Sequence, residues 1–328
     1  MSSPPLTLDG QLSDAVLRRD VERVRELAEA GAKCDQLLLC YAVREAPAEI
    51  IHLLIEKAGA SADEPGPPML QGAMPQGALI PNARKCQIPL HLAVQRGDVE
   101  VVRILLEAAT ALDARHPESG STALMRAFRT YRPTAVKKMV PLFLARGADP
   151  NARDKCGRSV LECALIAWNQ GGFVEPCVRL LIEGGADVNQ VDSNNNPLIF
   201  TAVLWHTEGR AGIAKAMIEG GADVNAVDRK GDPLLLHALR RRNLDLARLL
   251  IDAGANVNAT VSHGIHLAHA LSLNPERAQL LKDSGADMDA KDENGRTLGE
   301  RIAGIARMAK ISAMIRTPSS NLIPPPSK

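Results

Sequence analysis

The sequence predicts an all-α solenoid of about nine repeats, in which short β-hairpin fingers connect pairs of helices. The first observation is a finger sequence, GADVNAVD from Gly221, which returns in altered form from Gly147, Gly185, Gly254 and Gly285. The second is the step between these glycines, which is 38, 36, 33 and 31 residues and is typical of a stacked array. The third is composition: 45% of residues are hydrophobic but only 2% are aromatic, so small aliphatic side chains must build the core.

The best-preserved repeat, Ile88 to Ala109, justifies both helices of each pair. It reads IPLHLAVQRGDVEVVRILLEAA. Pro89 can begin the inner helix, since the first turn of a helix needs no amide hydrogen bond there. Gly97 and Asp98 separate this helix from an outer one, whose apolar residues recur at helical spacing at Val101, Val102, Leu105 and Leu106.

The remaining repeats are read in chain order from the inner helix to the next glycine anchor. They cover residues 15–31, 42–59, 127–147, 164–185, 201–221, 238–254 and 270–285. A final apolar stretch predicts a capping segment, because a terminal repeat must close the stack. Its residues are Ile302, Ile305, Met308, Ile311 and Ile315.

This reading divides the chain into six segments. The two ends are expected to be disordered, and a Pro-rich insertion separates two groups of repeats. The insertion carries five prolines, and loops of this length are usually functional or disordered. A tolerated insertion and a partner-contacting loop both remain open. The segments are a disordered N-terminus at 1–10, N-terminal repeats at 11–60, the insertion at 61–85, central repeats at 86–293, the capping segment at 294–316 and a disordered tail at 317–328.

The repeat from Ile88 closely resembles the ankyrin signature, in which T-P-L-H starts the first helix. The resemblance extends over about residues 11 to 316, and His91 stands at the family's histidine position. The resemblance implies that His91 braces neighbouring fingers through hydrogen bonds. Other residues replace this histidine in later repeats, so the array is divergent: Met125, Glu162, Ile199 and Leu236.

The same resemblance implies a function. Ankyrin arrays bind proteins on a concave face formed by fingers and inner helices, and the repeat alignment places four candidate contact residues on that face: Arg96, Arg129, Arg158 and Arg240. The further arginines Arg126 and Arg132 stand near Arg129 and are suited to acidic side chains or phosphates, although a solvated surface is the favoured interpretation.

Three scarce aromatic residues share one position in successive repeats. Tyr131, Trp168 and Trp205 are 37 residues apart, and each accompanies four or five extra residues, about one helical turn. The register predicts a row of rings that anchors a partner or an apolar ligand, with Phe128 and Phe200 enlarging the apolar patch. The alternative is that each ring packs on its neighbour and caps the extra turn.

Charge and cysteine usage narrow the function. The net charge of +1 favours neither direct nucleic-acid binding nor a membrane surface. The six cysteines form no C-x-x-C pair and are expected to be reduced packing residues. A metal site at His263, His266 and His269 is disfavoured because no further ligand stands nearby in sequence. We therefore expect no cofactor and no bound metal.

The sequence thus predicts a non-catalytic scaffold that binds another protein, acts as a monomer and works in the cytoplasm or the nucleus. Two alternatives remain open. One is a small-molecule binder or enzyme using the aromatic row, for which Glu162 and His206 offer an acid and an imidazole but no recognised catalytic motif. The other is a transcription coregulator that acts through a partner.

Overall fold

Helices dominate the computed structural model, which describes residues 7–65, 88–130, 132–167, 174–205, 210–261, 267, 275–291, 294–297, 299–300 and 303–304. The prediction of an all-α fold is confirmed, since these residues contain helices and isolated bridges but no extended strand. The helices in chain order are α1 (Leu8–Arg18), α2 (Val21–Glu29), α3 (Gln36–Glu45), α4 (Ala48–Glu56), α5 (Pro89–Arg96), α6 (Val99–Ala108), α7 (Ala123–Ala127), α8 (Pro133–Ala145), α9 (Val160–Ile166), α10 (Val174–Glu183), α11 (Leu198–Trp205), α12 (Arg210–Glu219), α13 (Leu234–Arg240), α14 (Leu244–Asp252) and α15 (Pro275–Asp283).

Local side chains begin and end these helices as the sequence predicts. Asp98 accepts hydrogen bonds from the amides of Glu100 and Val101 and so begins α6. Pro89 is the first residue of α5, and Gly97 ends this helix with a φ of 77°, in the left-handed region that glycine adopts without strain. The break between inner and outer helix is therefore encoded by two adjacent residues.

The first compact unit comprises Met1–Asn194 and Trp205–Gly221. Within it, each of the inner helices α1, α3, α5 and α7 packs against the inner helix of the next repeat, ending at α9. The outer helices α2, α4, α6, α8, α10 and α12 form a second layer in the same way. Aliphatic side chains fill the space between the layers, among them Leu39, Ile50, Leu54, Leu105 and Leu124, all fully buried.

The second compact unit comprises Asn195–Leu204 and Ala222–Lys328. In it α13 packs against α14, and the contact buries the leucines of both helices: Leu234, Leu235, Leu236, Leu239, Leu246 and Leu250. The pattern of aliphatic residues that predicted these helices therefore also supplies their core.

The fingers are simpler than the predicted hairpins. Each of three fingers is closed by one isolated antiparallel bridge, at Arg153–Ser159, Val227–Pro233 and Lys291–Thr297. Among the described residues α1 to α14 form seven successive pairs of an inner and an outer helix, followed by α15, so the figure of about nine repeats is not confirmed. Most of the insertion and of the capping segment lies outside the described residues.

Candidate functional site

From Asp63 onwards, one side chain in most of the described fingers reaches the next finger along the chain. We call this row the finger ladder. Each member stands four residues after the anchor that ends an outer helix, and one of its oxygens accepts a hydrogen bond from a backbone amide of the following finger. The donor amides and their distances are Ala111 to Asp63 at 2.9 Å, Asp149 to Asp113 at 3.0 Å, Asp187 to Asn151 at 2.8 Å, Asn256 to Asn225 at 2.7 Å and Asp287 to Asn258 at 2.8 Å.

Asparagine at this position serves two backbone groups at once. The Oδ1 atom of Asn151 accepts the amide of Asp187, while its Nδ2 atom donates to the carbonyl oxygen of Gly185 at 2.9 Å. Asn225 repeats the arrangement, with its Nδ2 atom 3.3 Å from the carbonyl oxygen of Gly254. An amide side chain is suited to the position because it carries both an acceptor and a donor. The ladder thus sets the register of consecutive fingers inside each compact unit.

Aspartate serves the same position well in one repeat and poorly in the next. Asp63 accepts from the Thr110 amide, the Thr110 hydroxyl and the Ala111 amide. Burial raises its pKa, but these hydrogen bonds outweigh that effect and leave the pKa lowered. Asp113 accepts the Asp149 amide, whereas its Oδ1 atom is buried without a hydrogen-bond partner. Burial accordingly raises the pKa of Asp113.

We expect Asp113→Asn to stabilise the protein by about 1 kcal/mol near neutral pH, because the equivalent Asn151 donates to the next finger, whereas the Oδ1 atom of Asp113 is buried without a partner. A raised pKa means that the Asp113 carboxyl contributes stability below its ordinary value of 3.8 and loses that contribution as the pH rises through its folded pKa. The gain from the substitution should therefore shrink towards acid pH. Urea denaturation of both proteins across this range measures it, and a destabilised variant at neutral pH contradicts the assignment.

The histidine position of the inner helix also contacts the next finger. His91 is buried, and its Nε2 atom lies 2.9 Å from the carbonyl oxygen of Ala114, which makes Nε2 the donor. Burial is the main reason that the pKa of His91 falls to about 4, so the ring is neutral at physiological pH. The bracing role implied by the resemblance is therefore present in this repeat.

Glu162 also forms hydrogen bonds to the next finger, but it accepts them, whereas His91 donates. It is 3% exposed, and its carboxylate accepts hydrogen bonds from the Ser193 amide at 3.2 Å and from the Ser193 hydroxyl at 2.9 Å. These contacts fix the carboxylate in the next finger. His206, the imidazole paired with Glu162 in the enzyme alternative, lies outside the described residues.

Three of the four predicted arginine contacts already have partners within the protein. Arg96 donates to the carbonyl oxygens of Val43 and Ala46 at 3.0 and 2.7 Å and so holds the end of α3. Two further arginines form ion pairs inside their own repeats, Arg158 with Asp154 at 2.6 Å and Arg240 with Asp232 at 3.0 Å. Their first role is therefore to brace the repeats, although part of the Arg158 and Arg240 side chains stays exposed.

The fourth predicted arginine, Arg129, belongs to a group of three arginines, of which only Arg129 was among the predicted contact residues. Arg126 is half-buried on the short helix α7, and Arg129 is exposed directly after the end of this helix. Burial, followed by the charge of Arg129, lowers the pKa of Arg126. Arg132 is exposed and extends back to the preceding repeat, since a Cβ atom on Gly97 would lie 2.2 Å from its Cδ atom. The three-residue spacing of these arginines was the sequence signal for the group.

Two of the predicted aromatic contacts are core residues. Phe128 is 3% exposed and Phe200 is 2% exposed, and the Phe200 ring meets His237 edge-on at 5.4 Å between centroids. Their predicted place in an accessible patch is therefore corrected: inner-helix residues one position apart face different sides, and these two face the core. Tyr131 and Trp168 lie outside the described residues. Trp205 is the last residue of α11, and nothing further is described of its side chain.

A group of ligand-type side chains lies in the second compact unit. Carboxylate oxygens of Asp228 and Asp232 and a ring nitrogen of His237 all lie within 4.8 Å of one another. Asp228 accepts the amides of Lys230 and Asp232 and contacts His237 at 3.0 Å, while Asp232 accepts from Arg240. Because the neighbouring arginine repels a cation, we interpret the group as a brace between finger and inner helix. The predicted histidine run at 263, 266 and 269 lies outside the described residues.

Three of the described cysteines, Cys40, Cys163 and Cys177, are buried packing residues, whereas Cys34 is partly buried and Cys156 is exposed. Cys34, Cys40, Cys156, Cys163 and Cys177 are all free thiols. Burial raises the pKa of Cys34 and Cys163 to about 12 and that of Cys177 to about 11, which keeps these thiols protonated and unreactive. In the part of the chain that the structure describes, none of the helices has the length and apolar character needed to cross a membrane.

Comparisons with known proteins agree with this architecture. Solved structures include the ankyrin repeat domain of Bcl-3, described as a unique member of the IkappaB protein family, which matches with a TM-score of 0.53 and 27% identity over 67% of this chain and 97% of that one. The mouse B-cell lymphoma 3 protein homolog is 29% identical over 214 residues, which is 63% of this chain and 37% of that protein.

A plant relative covers more of the chain but less of itself. The Arabidopsis thaliana E3 ubiquitin-protein ligase KEG is 24% identical over 350 aligned positions, which is 90% of this chain and 20% of that protein. The chain therefore spans well under half the length of these two curated relatives. The family model for ankyrin repeats matches three times, at residues 77–154, 134–228 and 200–292. Together these matches cover more than half of the sequence, and the chain belongs to the ankyrin-repeat family.

Proposed function

We propose that this chain is a non-catalytic interaction module that binds a protein partner through the concave side of its repeats, in the cytoplasm or the nucleus. The observation that carries the proposal is that some polar side chains bind neighbouring fingers, whereas Arg129 is left exposed. The finger ladder, His91 and Glu162 form hydrogen bonds to neighbouring fingers. Because these bonds fix the fingers before any partner binds, the surface is preorganised. Arg129 at the end of an inner helix stays exposed, and no described residue forms an ion pair with it.

Trp168 and Trp205 extend the proposed surface along the chain. They share one register with Tyr131, and a repeat array converts equal register into neighbouring positions. Large rings at such a place are typical anchors of protein interfaces. Phe128 and Phe200 are buried, so the proposal assigns them no contact with the partner. The mouse relative and the solved Bcl-3 domain support an ankyrin interaction module of this kind.

Affinity capture with the full chain tests the proposal. We expect partner proteins captured by the wild type to be lost with Trp168→Ala/Trp205→Ala, since removing an interface anchor typically costs about 2 kcal/mol or more of binding free energy. The matched control is Leu8→Ala, which truncates a 45% exposed apolar side chain near the start of the chain. Equal capture by all three proteins, or a strong loss of thermal stability in the tryptophan variant, contradicts the proposed anchors.

A further inference from the structure

We propose that Arg126, Arg129 and Arg132, called here the basic cluster, bind an acidic, carboxylate-rich segment of the protein partner. The inference rests on the proposed function and names the chemistry of its partner. The cluster joins three consecutive inner helices. Arg132 lies against Gly97 at the end of α5, Arg126 and Arg129 stand on or directly after α7, and the charge of Arg129 reaches Cys163 on α9.

The first argument is that the basic cluster lacks counter-ions. Among the described residues none of the three arginines forms an ion pair, and the electrostatic neighbour that acts on the half-buried Arg126 is a second cation, Arg129. Partial burial of a cation beside another cation is unfavourable unless an anion compensates it. The arrangement is therefore a cost to the isolated protein that an anionic partner would remove.

The second argument is that nearby acidic side chains have other partners. Asp98 pairs with Arg96 at 3.2 Å, Asp154 pairs with Arg158, and Glu162 accepts from Ser193. None of the three is left to neutralise the cluster. Among the described residues, these three carboxylates therefore do not compete with an anion from outside the chain for the basic cluster.

The third argument is the contrast with the outer helices of the same compact unit. There, arginines pair with glutamates, often across consecutive repeats: Arg25 with Glu49 at 2.9 Å, Arg103 with Glu100 at 2.5 Å, Arg146 with Glu107 at 3.8 Å and Arg179 with Glu219 at 2.7 Å. These four arginines of the outer layer are thus paired within the protein, whereas the described residues offer no such pair to the basic cluster.

A protein segment fits the cluster better than nucleic acid does. A nucleic-acid surface needs a long basic footprint, and the net charge of this chain is +1. Three arginines within one repeat match a short stretch of glutamates or aspartates, each guanidinium taking a carboxylate through two parallel hydrogen bonds. Tyr131 stands between Arg129 and Arg132 in sequence, so the first of the proposed aromatic anchors and the basic cluster belong to one segment of the chain.

The test uses fluorescein-labelled octaglutamate and the full chain, with anisotropy measured at low ionic strength. We expect the wild type to bind, Arg129→Gln to weaken binding about tenfold, and Arg126→Met/Arg129→Gln to abolish it, as charge-assisted hydrogen bonds are lost. The matched control is Arg103→Gln, which removes the same charge from an outer helix and should change the affinity less than about twofold. Binding should weaken as salt is added.

Three results would overturn the inference. Failure of the wild type to bind octaglutamate does so, as does an Arg103→Gln loss equal to that of Arg129→Gln. Tighter binding of an oligothymidylate strand, with the same variant pattern, assigns the cluster to nucleic acid instead. Arg126→Met should unfold at or above the wild-type temperature, because it removes an uncompensated charge. If the variants that carry Arg126→Met fail to fold, the test rests on Arg129→Gln alone, because the Arg129 side chain is exposed.

The affinity capture separates this inference from the proposed function. A partner that is captured equally by the wild type and by Arg129→Gln, yet lost with Trp168→Ala/Trp205→Ala, leaves the interaction module standing and overturns the acidic-segment inference. The opposite result is that octaglutamate binds as expected but Trp168→Ala/Trp205→Ala still captures every partner. In that case the basic cluster binds acidic segments, and the proposed anchors are wrong.

Discussion

Replacing Leu105 with alanine is expected to lower the free energy of unfolding by about 2–5 kcal/mol. Leu105 is fully buried on α6, and this helix packs between α4 and α8 of the neighbouring repeats. The substitution removes buried methyl groups and leaves a cavity that surrounding helices, fixed by their own neighbours, can fill only in part. Because each repeat gains its core from its neighbours, the loss weakens two contacts between repeats at once.

Chemical denaturation followed by circular dichroism measures the effect of Leu105→Ala. Leu8→Ala is the matched control, since it makes the same change at a side chain that is 45% exposed, and it should cost less than about 0.5 kcal/mol. A cost below about 1 kcal/mol for Leu105→Ala would mean that α6 is not a packed outer helix.

Local patterns made most of the fold predictable. The apolar spacing of Val101, Val102, Leu105 and Leu106 predicted α6, and all four side chains are buried in it. Pro89 and the Gly97–Asp98 pair marked the limits of α5 and α6, because capping depends on residues within one turn of the helix end. The histidine position was likewise predictable for His91, which contacts the next finger as the resemblance implied.

The contacts of the candidate site were harder to predict because they join distant parts of the chain. Arg96 was expected on a binding face, but it holds the carbonyl oxygens of Val43 and Ala46, about fifty residues earlier. Phe128 and Phe200 share their helices with predicted contact residues, yet their faces point to the core. Sequence register identifies a helix and an approximate position, whereas the direction of a side chain depends on how neighbouring repeats pack.

The finger ladder shows why the residue type alone does not predict the pKa of a side chain. Asp63 and Asp113 are chemically identical and occupy equivalent places, yet the pKa of Asp63 is lowered and that of Asp113 is raised. Thr110 supplies an additional hydroxyl and amide to Asp63, and Asp113 lacks such donors. The difference lies in the following finger, and no pattern around Asp113 itself indicates it.

Asn151→Asp is expected to lower the free energy of unfolding by about 1–3 kcal/mol, because it leaves a backbone acceptor without its donor. Asn151 donates to the Gly185 carbonyl oxygen at 2.9 Å and accepts the Asp187 amide and the Gln190 side-chain amide at 2.8 and 2.7 Å. The substitution preserves shape and both accepted bonds. It replaces the donor with an oxygen that faces the Gly185 carbonyl oxygen, and two acceptors repel each other.

Asn151→Asp is the reverse of Asp113→Asn at the preceding position of the finger ladder. The two variants together separate the effect of the donated hydrogen bond on stability from the effect of charge. If the ladder acts through its donor, Asn151→Asp destabilises and Asp113→Asn stabilises near neutral pH, as urea denaturation of both variants will show. The new carboxyl group at position 151 should have a raised pKa, since only its protonated form can donate to Gly185. Its stability deficit should therefore be smaller below about pH 4 than at neutral pH, where the carboxylate is ionised. A deficit that stays constant on acidification would attribute the cost to something other than the lost donor.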